Sequence, residues 1–396
     1  MPVVRESRLA QAIEPGFRLY GRNDRLCANF DLRNMKLPQR IITIILTGTL
    51  IAPLIVSAAT TKLNYTAWIP YWKKTDGVAE AIEHLSAFKE ISPFYYAVKS
   101  DGSLSDQMKI GDDPWPKLLA AATSTKVRVI PSILWGDGDL IHKVLSDKKL
   151  RTAHIQAIAD LVKAQNYDGI DIDYEGKKAE TKNYFSAFLK ELAAQPIFKK
   201  KFLVCTIEAR TPADSRFVKV PKTLEFANDY VAINKYCDQV RIMAYDQIRI
   251  DLKLNRAKGG DALYAPVADS VWVDKVIKEA TRSIKASKIY LGVPTYGYEY
   301  EITRANDAWQ YDRLRSLGYK DALALATGLG TSPIRNSAGE LSFTYTNGTS
   351  TRLVWFSDGQ AIQDKIAVAK KYRLGGLTIF KLDGTADPQL WNVINE

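Results

Sequence analysis

Eight consecutive residues, Asp168-Gly169-Ile170-Asp171-Ile172-Asp173-Tyr174-Glu175, set acids at alternating positions among β-branched and aromatic side chains. In an extended strand residues two apart share a face, so Asp171, Asp173 and Glu175 project together. Ile170, Ile172 and Tyr174 then face the other way. Carboxylates about 6.6 Å apart on one face of a buried strand cannot all ionise without cost. Repulsion and desolvation lift at least one pKa and keep a proton available near neutral pH. The pattern reads as proton-transfer chemistry, with Glu175 last in the row and nearest the strand exit. Two other readings stand beside it: a divalent-metal site, and acids on a solvated edge strand. An edge strand fits poorly with Ile at both intervening positions, and a metal site would draw ligands from further strands.

Such a row needs a framework that buries one face of every strand. Candidate strands lie at 64–71, 91–98, 127–134, 168–175, 202–208, 239–245, 289–296 and 375–382; most are short and bounded by Gly, Asp or Pro. Amphipathic helical patterns separate them, among them 151–165, 181–194, 272–286 and 360–372. In the first of these Ile155, Ile158, Ala159 and Val162 share one face. Strands separated by helices pair in parallel through crossovers. Eight such units predict an α/β fold, a closed (β/α)8 TIM barrel over 60–396, whose chemistry sits at the C-terminal mouth. The long interval between strands seven and eight holds a helix-like piece at 312–326. Alternating runs follow at 341–346 and 351–356 around Asn347-Gly348, a hairpin signal. A small α+β insertion at 299–355 on the barrel rim is the expectation.

The chain has 396 residues, 46% apolar and 25% charged, which excludes disordered, collagen-like and coiled-coil classes. Its three Cys are too few for a disulfide scaffold, and Cys205 and Cys237, in or beside apolar runs, read as buried thiols. His84, His142 and His154 are too scattered for a zinc site, so no metal and no cofactor is expected. Of the net charge of +11, residues 1–40 carry +4, and the remaining +7 is spread without a basic run. Nucleic acid is therefore not an expected partner, and the surface attracts anionic polymers at most mildly.

The stretch Ile41–Ala59 is uncharged, follows Lys36 and Arg40, and ends on Ser57-Ala58-Ala59. It reads as a secretory signal peptide over 35–59, starting at Met35, which leaves 1–34 outside the functional protein. A membrane anchor is the competing reading, diluted by Thr43, Thr47, Gly48, Thr49 and Pro53. The expectation is a secreted or cell-envelope protein, monomeric and free of the membrane once the signal is removed.

The acid row matches the pattern DxxDxDxE, and through it the chain resembles glycoside hydrolase family 18, the chitinases and related N-acetylglucosaminidases. The resemblance extends to Ser92-Pro93-Phe94-Tyr95-Tyr96, Met243-Ala244-Tyr245-Asp246, Leu291-Gly292-Val293-Pro294-Thr295-Tyr296-Gly297 and Leu353-Val354-Trp355-Phe356, spanning about residues 64–390. It implies a retaining hydrolase of β-1,4 bonds next to N-acetylglucosamine, in chitin or a peptidoglycan-type glycan. The sugar's own acetamide oxygen would be the nucleophile. The resemblance makes Glu175 the general acid and then base, has Asp173 hold the acetamide N–H, and has Asp171 tune Asp173 from below. It has Tyr245 donate to the acetamide oxygen, with Asp246 and Met243 shaping the same subsite. The implied partner is an N-acetylglucosamine-containing polysaccharide.

Pyranose faces stack on aromatic rings, and Tyr71, Tyr96, Trp135 and Tyr296 near strand ends are candidates for that platform. The resemblance departs at strand eight, where Phe380 stands in place of a Trp; Phe keeps an apolar face but has less area and no indole N–H. Glu208 reads either as a polar group of the cleft or as a charge partner of Arg210. A non-catalytic, lectin-like sugar binder on the same barrel is the alternative function. Lectin-like relatives commonly lose the last acid of the motif, and Glu175 is present.

Overall fold

The computed structural model describes residues 62–217, 219–247, 251–305 and 308–395. The expected leader at 35–59 and the segment 1–34 lie outside the described residues. Eight strands form the barrel: Asn64–Pro70, Glu90–Val98, Ser132–Trp135, Gly169–Tyr174, Phe202–Glu208, Gln239–Met243, Ile289–Pro294 and Gly376–Phe380. Each pairs in parallel with its neighbours in chain order, and the eighth closes on the first with Asn64 opposite Gly376. The (β/α)8 barrel expected from the alternation is the fold of the chain. The third strand is shorter than the pattern at 127–134 suggested. Arg128–Val129 forms a separate short strand, and Pro131 between the two pieces has no amide hydrogen to give a ladder.

Helices Lys148–Ala164, Ser270–Ala280 and Gly359–Tyr372 begin at Asp147, Asp269 and Asp358, whose carboxylates accept from free amides of the first turn. On strand four, Ile170, Ile172 and Tyr174 point outward and are fully buried in the core with Phe185 and Phe188 of helix Lys182–Ala193. Each such Ile contributes roughly 1.5–3 kcal/mol by leaving water. Their burial fixes the strand's rotation, and so commits the acids between them to the barrel interior.

Between strands seven and eight stands a five-stranded antiparallel sheet, ordered Ala308–Gly318, Tyr296–Ala305, Ser350–Phe356, Leu341–Asn347 and Ile334–Arg335. Helix Tyr319–Gly328 covers it over a small core of Leu317, Ala322, Phe343, Val354 and Phe356. The helix-like pattern at 312–326 is strand as far as Gly318. Cross-strand pairing outweighs the local preference there, with Arg315 donating to Glu299 of the adjacent strand at 2.6 Å. The hairpin turns on Gly348-Thr349, with Asn347 opposite Ser350.

Cys205 and Cys237 are not free thiols. They form a disulfide across a sequence separation of 32, with Cα atoms 6.0 Å apart. Cys205 lies on strand five opposite Val240, and Cys237 stands just before strand six. One barrel repeat thus returns the chain to a neighbouring position that linear spacing does not reveal.

Candidate active site

Strand four starts where Asp168 accepts from the Val129 amide at 2.9 Å. At Gly169 a Cβ would stand 2.3 Å from the Phe202 carbonyl oxygen, so only glycine lets strands four and five approach there. Asp171, the lowest acid, is fully buried and takes four donors: Ser132 Oγ and Thr206 Oγ1 at 2.7 Å, Arg241 at 3.0 Å and Trp68 Nε1 at 3.2 Å. Arg241 also donates to Glu90 at 2.7 Å. Burial opposes the Arg241 charge, but the Asp171 and Glu90 carboxylates outweigh it and hold its pKa above the ordinary value. Burial likewise works against the Glu90 carboxylate, and Arg241 overrides it, so that pKa is lowered.

Asp173, the next acid up, is 2% exposed and its Oδ1 is buried without a hydrogen-bond partner. Burial first, then the charges of Glu175, Asp171 and Glu208, push its pKa well above the usual carboxylate range. Glu175 follows at the strand exit. Its pKa is raised to about 7, by burial first and then by the Glu208 carboxylate; Lys177 opposes this and Asp246 adds to it. After Glu175 the chain turns through Gly176 in the left-handed region, φ +64°, which glycine adopts without strain. The turn brings Lys177 back onto the Tyr174 carbonyl.

Strand five supplies Glu208, which accepts from the Gly176 amide at 2.9 Å and from Asn228 at 2.6 Å, with the Lys177 ammonium at 3.5 Å. Burial raises the Glu208 pKa, but Lys177 and these hydrogen bonds prevail and the net shift is downward. Glu208 is thus a cleft acid paired with Lys177 rather than with Arg210. Beyond strand six, Tyr245 has its pKa raised far up by burial and by the Asp173 and Glu175 charges, so its phenol stays a donor. Asp246 accepts from the Tyr296 and Tyr298 hydroxyls at 2.9 and 2.7 Å.

These groups meet in a cleft of about 310 Å³ at the C-terminal mouth, lined by Trp68, Phe94, Asp173, Glu175, Glu208, Ala209, Met243, Tyr245, Asp246 and Phe380. Phe380 stacks on Tyr245 with centroids 5.5 Å apart and meets Trp68 edge-on at 5.7 Å. The arrangement offers a proton donor poised near neutrality, an unfilled buried acceptor beside it, a phenol donor and an aromatic wall. Among the described residues no cluster of His, Cys, Asp and Glu suits a metal ion.

Of the residues singled out in the sequence, Asp173, Glu175, Met243, Tyr245, Asp246 and Phe380 line this cleft, and Asp171 lies beneath it. Tyr296 stands behind it, holding Asp246. Tyr71 packs edge-on against Trp72 and Tyr95 and does not line the cleft. Two further aromatic candidates also lie away from it. Tyr96 is buried and shares a 2.7 Å hydrogen bond with Tyr167, because a register shift between Phe94 and Tyr96 moves it to the outer face; Phe94 takes the cleft position. Trp135 pairs with Tyr174 and packs on His154, also outside the barrel. The sequence reading missed Trp68, Phe94 and Arg241. The signal was there: Gln239, Arg241 and Met243 alternate inward as Asp171, Asp173 and Glu175 do.

A parallel eight-stranded barrel with an inward row of acids opening into a mouth cleft has the layout of a barrel glycoside hydrolase. The family model Glycosyl hydrolases family 18 matches residues 66–384, and the chain belongs to that family. It is 25% identical to the uncharacterized glycosylase YvbX of Bacillus subtilis (strain 168) over 264 residues, 66% of this chain and 70% of the relative. The chitinase structure from Chromobacterium violaceum ATCC 12472 shares the fold with TM-score 0.68 at 21% identity, covering 84% of this chain and 98% of that one. The spore cortex-lytic enzyme SleL of Bacillus megaterium QM B1551 does so with TM-score 0.69 at 20% identity, covering 86% and 75%.

Proposed function

We propose that the chain is a retaining hydrolase that cleaves β-1,4 bonds next to N-acetylglucosamine with the substrate's acetamide as nucleophile. The observation that carries this reading is the pairing of Asp173 and Glu175. Asp173 Oδ1 is a buried acceptor with no protein donor, and such an atom costs stability unless a ligand completes it. An acetamide N–H at the cleft floor does so, and leaves its carbonyl oxygen free to attack the anomeric carbon. As the C1–O bond breaks, Glu175 gives its proton to the departing oxygen and the acetamide closes to an oxazolinium. Glu175, now ionised, takes a proton from the water that reopens that ring, so the proton inventory balances over the cycle. Tyr245 donates to the acetamide oxygen, and Phe380 gives the ring an apolar face. The acetamide is already tethered to the sugar, so the enzyme needs only to bend the ring over it.

Replacing Glu175 by Gln keeps the shape and removes the proton. On N-acetylglucosamine oligomers kcat should fall by about 10²–10⁴-fold, with binding largely kept and the unmodified enzyme releasing the β-anomer first by NMR. Turnover by Glu175→Gln near the unmodified rate would reject the reading. Export is part of the same proposal. The uncharged stretch at 41–59 supports it, and so does the Cys205–Cys237 disulfide, a bond that persists in oxidising compartments.

A further inference from the structure

Past Glu208 the cleft runs into a second hollow of about 250 Å³, walled by Lys177, Glu208, Arg210, Arg216, Glu225 and Phe226 among others. The two cavities share Glu208 and Ala209. The Arg210 guanidinium stacks on the rings of Phe226 at 3.7 Å and Tyr230 at 4.1 Å, and donates to the Asn228 carbonyl at 2.7 Å. Among the described residues neither Arg210 nor Arg216 forms an ion pair. Glu208 is engaged with Lys177, Gly176 and Asn228, and Glu225 is exposed. Lys177, Arg210 and Arg216 outnumber Glu208 and Glu225 in the lining by one positive charge, Glu279 and Asp229 act on Arg210 from outside it, and the half-buried Arg210 cation is held between rings. A guanidinium fixed in this way is preorganised for bidentate capture of a carboxylate.

Position tells which half of a glycan enters. A general acid stands beside the bond it protonates, so the departing sugar lies past Glu175. The aromatic wall of Trp68, Phe94 and Phe380 comes from strands one, two and eight, whereas the hollow opens beyond strands four and five. We infer that Arg210 and Arg216 receive a carboxylate carried by the departing sugar. The inference rests on the hydrolase reading and names its substrate class. That class is an N-acetylglucosamine glycan whose next residue bears a free carboxylate, as the lactyl ether of a muramic residue stripped of its peptide does and chitin does not.

The test compares peptidoglycan oligomers having free carboxylates with the same oligomers after reduction of the carboxyls to alcohols. It uses the full chain, Arg210→Gln and Arg216→Gln. Two ratios are read: kcat/KM for the acidic over the reduced glycan, and Kd for the pair on a Glu175→Gln background. Both should favour the acidic glycan by about tenfold or more and move toward one in each Arg variant. A ratio near one in the unmodified chain overturns the inference, as does an unchanged ratio in both variants. Should Arg210→Gln fail to fold, the exposed Arg216 decides. If neither glycan is cut, the hydrolase reading fails, while the Kd ratio still decides the anion site.

Discussion

Glu175 and Glu208 share a proton economy. The Glu208 charge, balanced imperfectly by Lys177, helps hold the Glu175 pKa at about 7. Glu175 must be protonated to act as acid, so kcat/KM should be high below that pH and fall as pH rises through it. Glu208→Gln removes a negative neighbour and leaves Lys177 unopposed; both changes favour the ionised form of Glu175. The falling limb should therefore move to lower pH in a kcat/KM profile, and a limb that stays or moves up contradicts the assignment. At this scale the row of acids was legible, because period two on a strand with Ile between leaves one solution. Tyr96 and Trp135 were not legible. A one-residue irregularity reverses which face a side chain takes, and nothing in Phe94-Tyr95-Tyr96 announces it. The peptide bonds after Phe94 and Phe380 are cis, equally silent in the sequence.

The secondary elements were the most readable level. Strands four to eight lie within a few residues of their expected limits, because each is rich in β-branched or other apolar residues and most have Gly, Asp or Pro at their ends. Where the reading slipped, long-range pairing decided. Residues 312–318 carry charges at helical spacing, yet they lie opposite Tyr296–Glu301 and take their partners from that strand. The disulfide was hidden for a similar reason, since its distance is set by the width of one β/α repeat and not by the chain between its ends. Arg241 belongs here too. A cation at the centre of a barrel looks implausible alone, and becomes necessary once Glu90 and Asp171 are seen on the facing strands.

For the whole molecule, the insertion rises from the rim of the barrel mouth, and one side of the cleft continues into a positively walled hollow. An acidic polymer sliding along that route meets net positive charge over the folded chain as well, which favours encounter at low salt. If export proceeds as proposed, the protein in the culture medium should begin close to residue 60 by N-terminal sequencing; a medium form that retains residues 41–59 speaks for the anchor. The stretch from Arg210 to Asn228, which with Lys177 walls the second hollow, lies between Cys205 and Cys237. A protease that clips this stretch once therefore cannot part the molecule: it should migrate at full mass on a gel run without reductant and split into two bands with it. The stretch proposed to receive the outgoing sugar is, in effect, riveted at both ends, and can be cut without being lost.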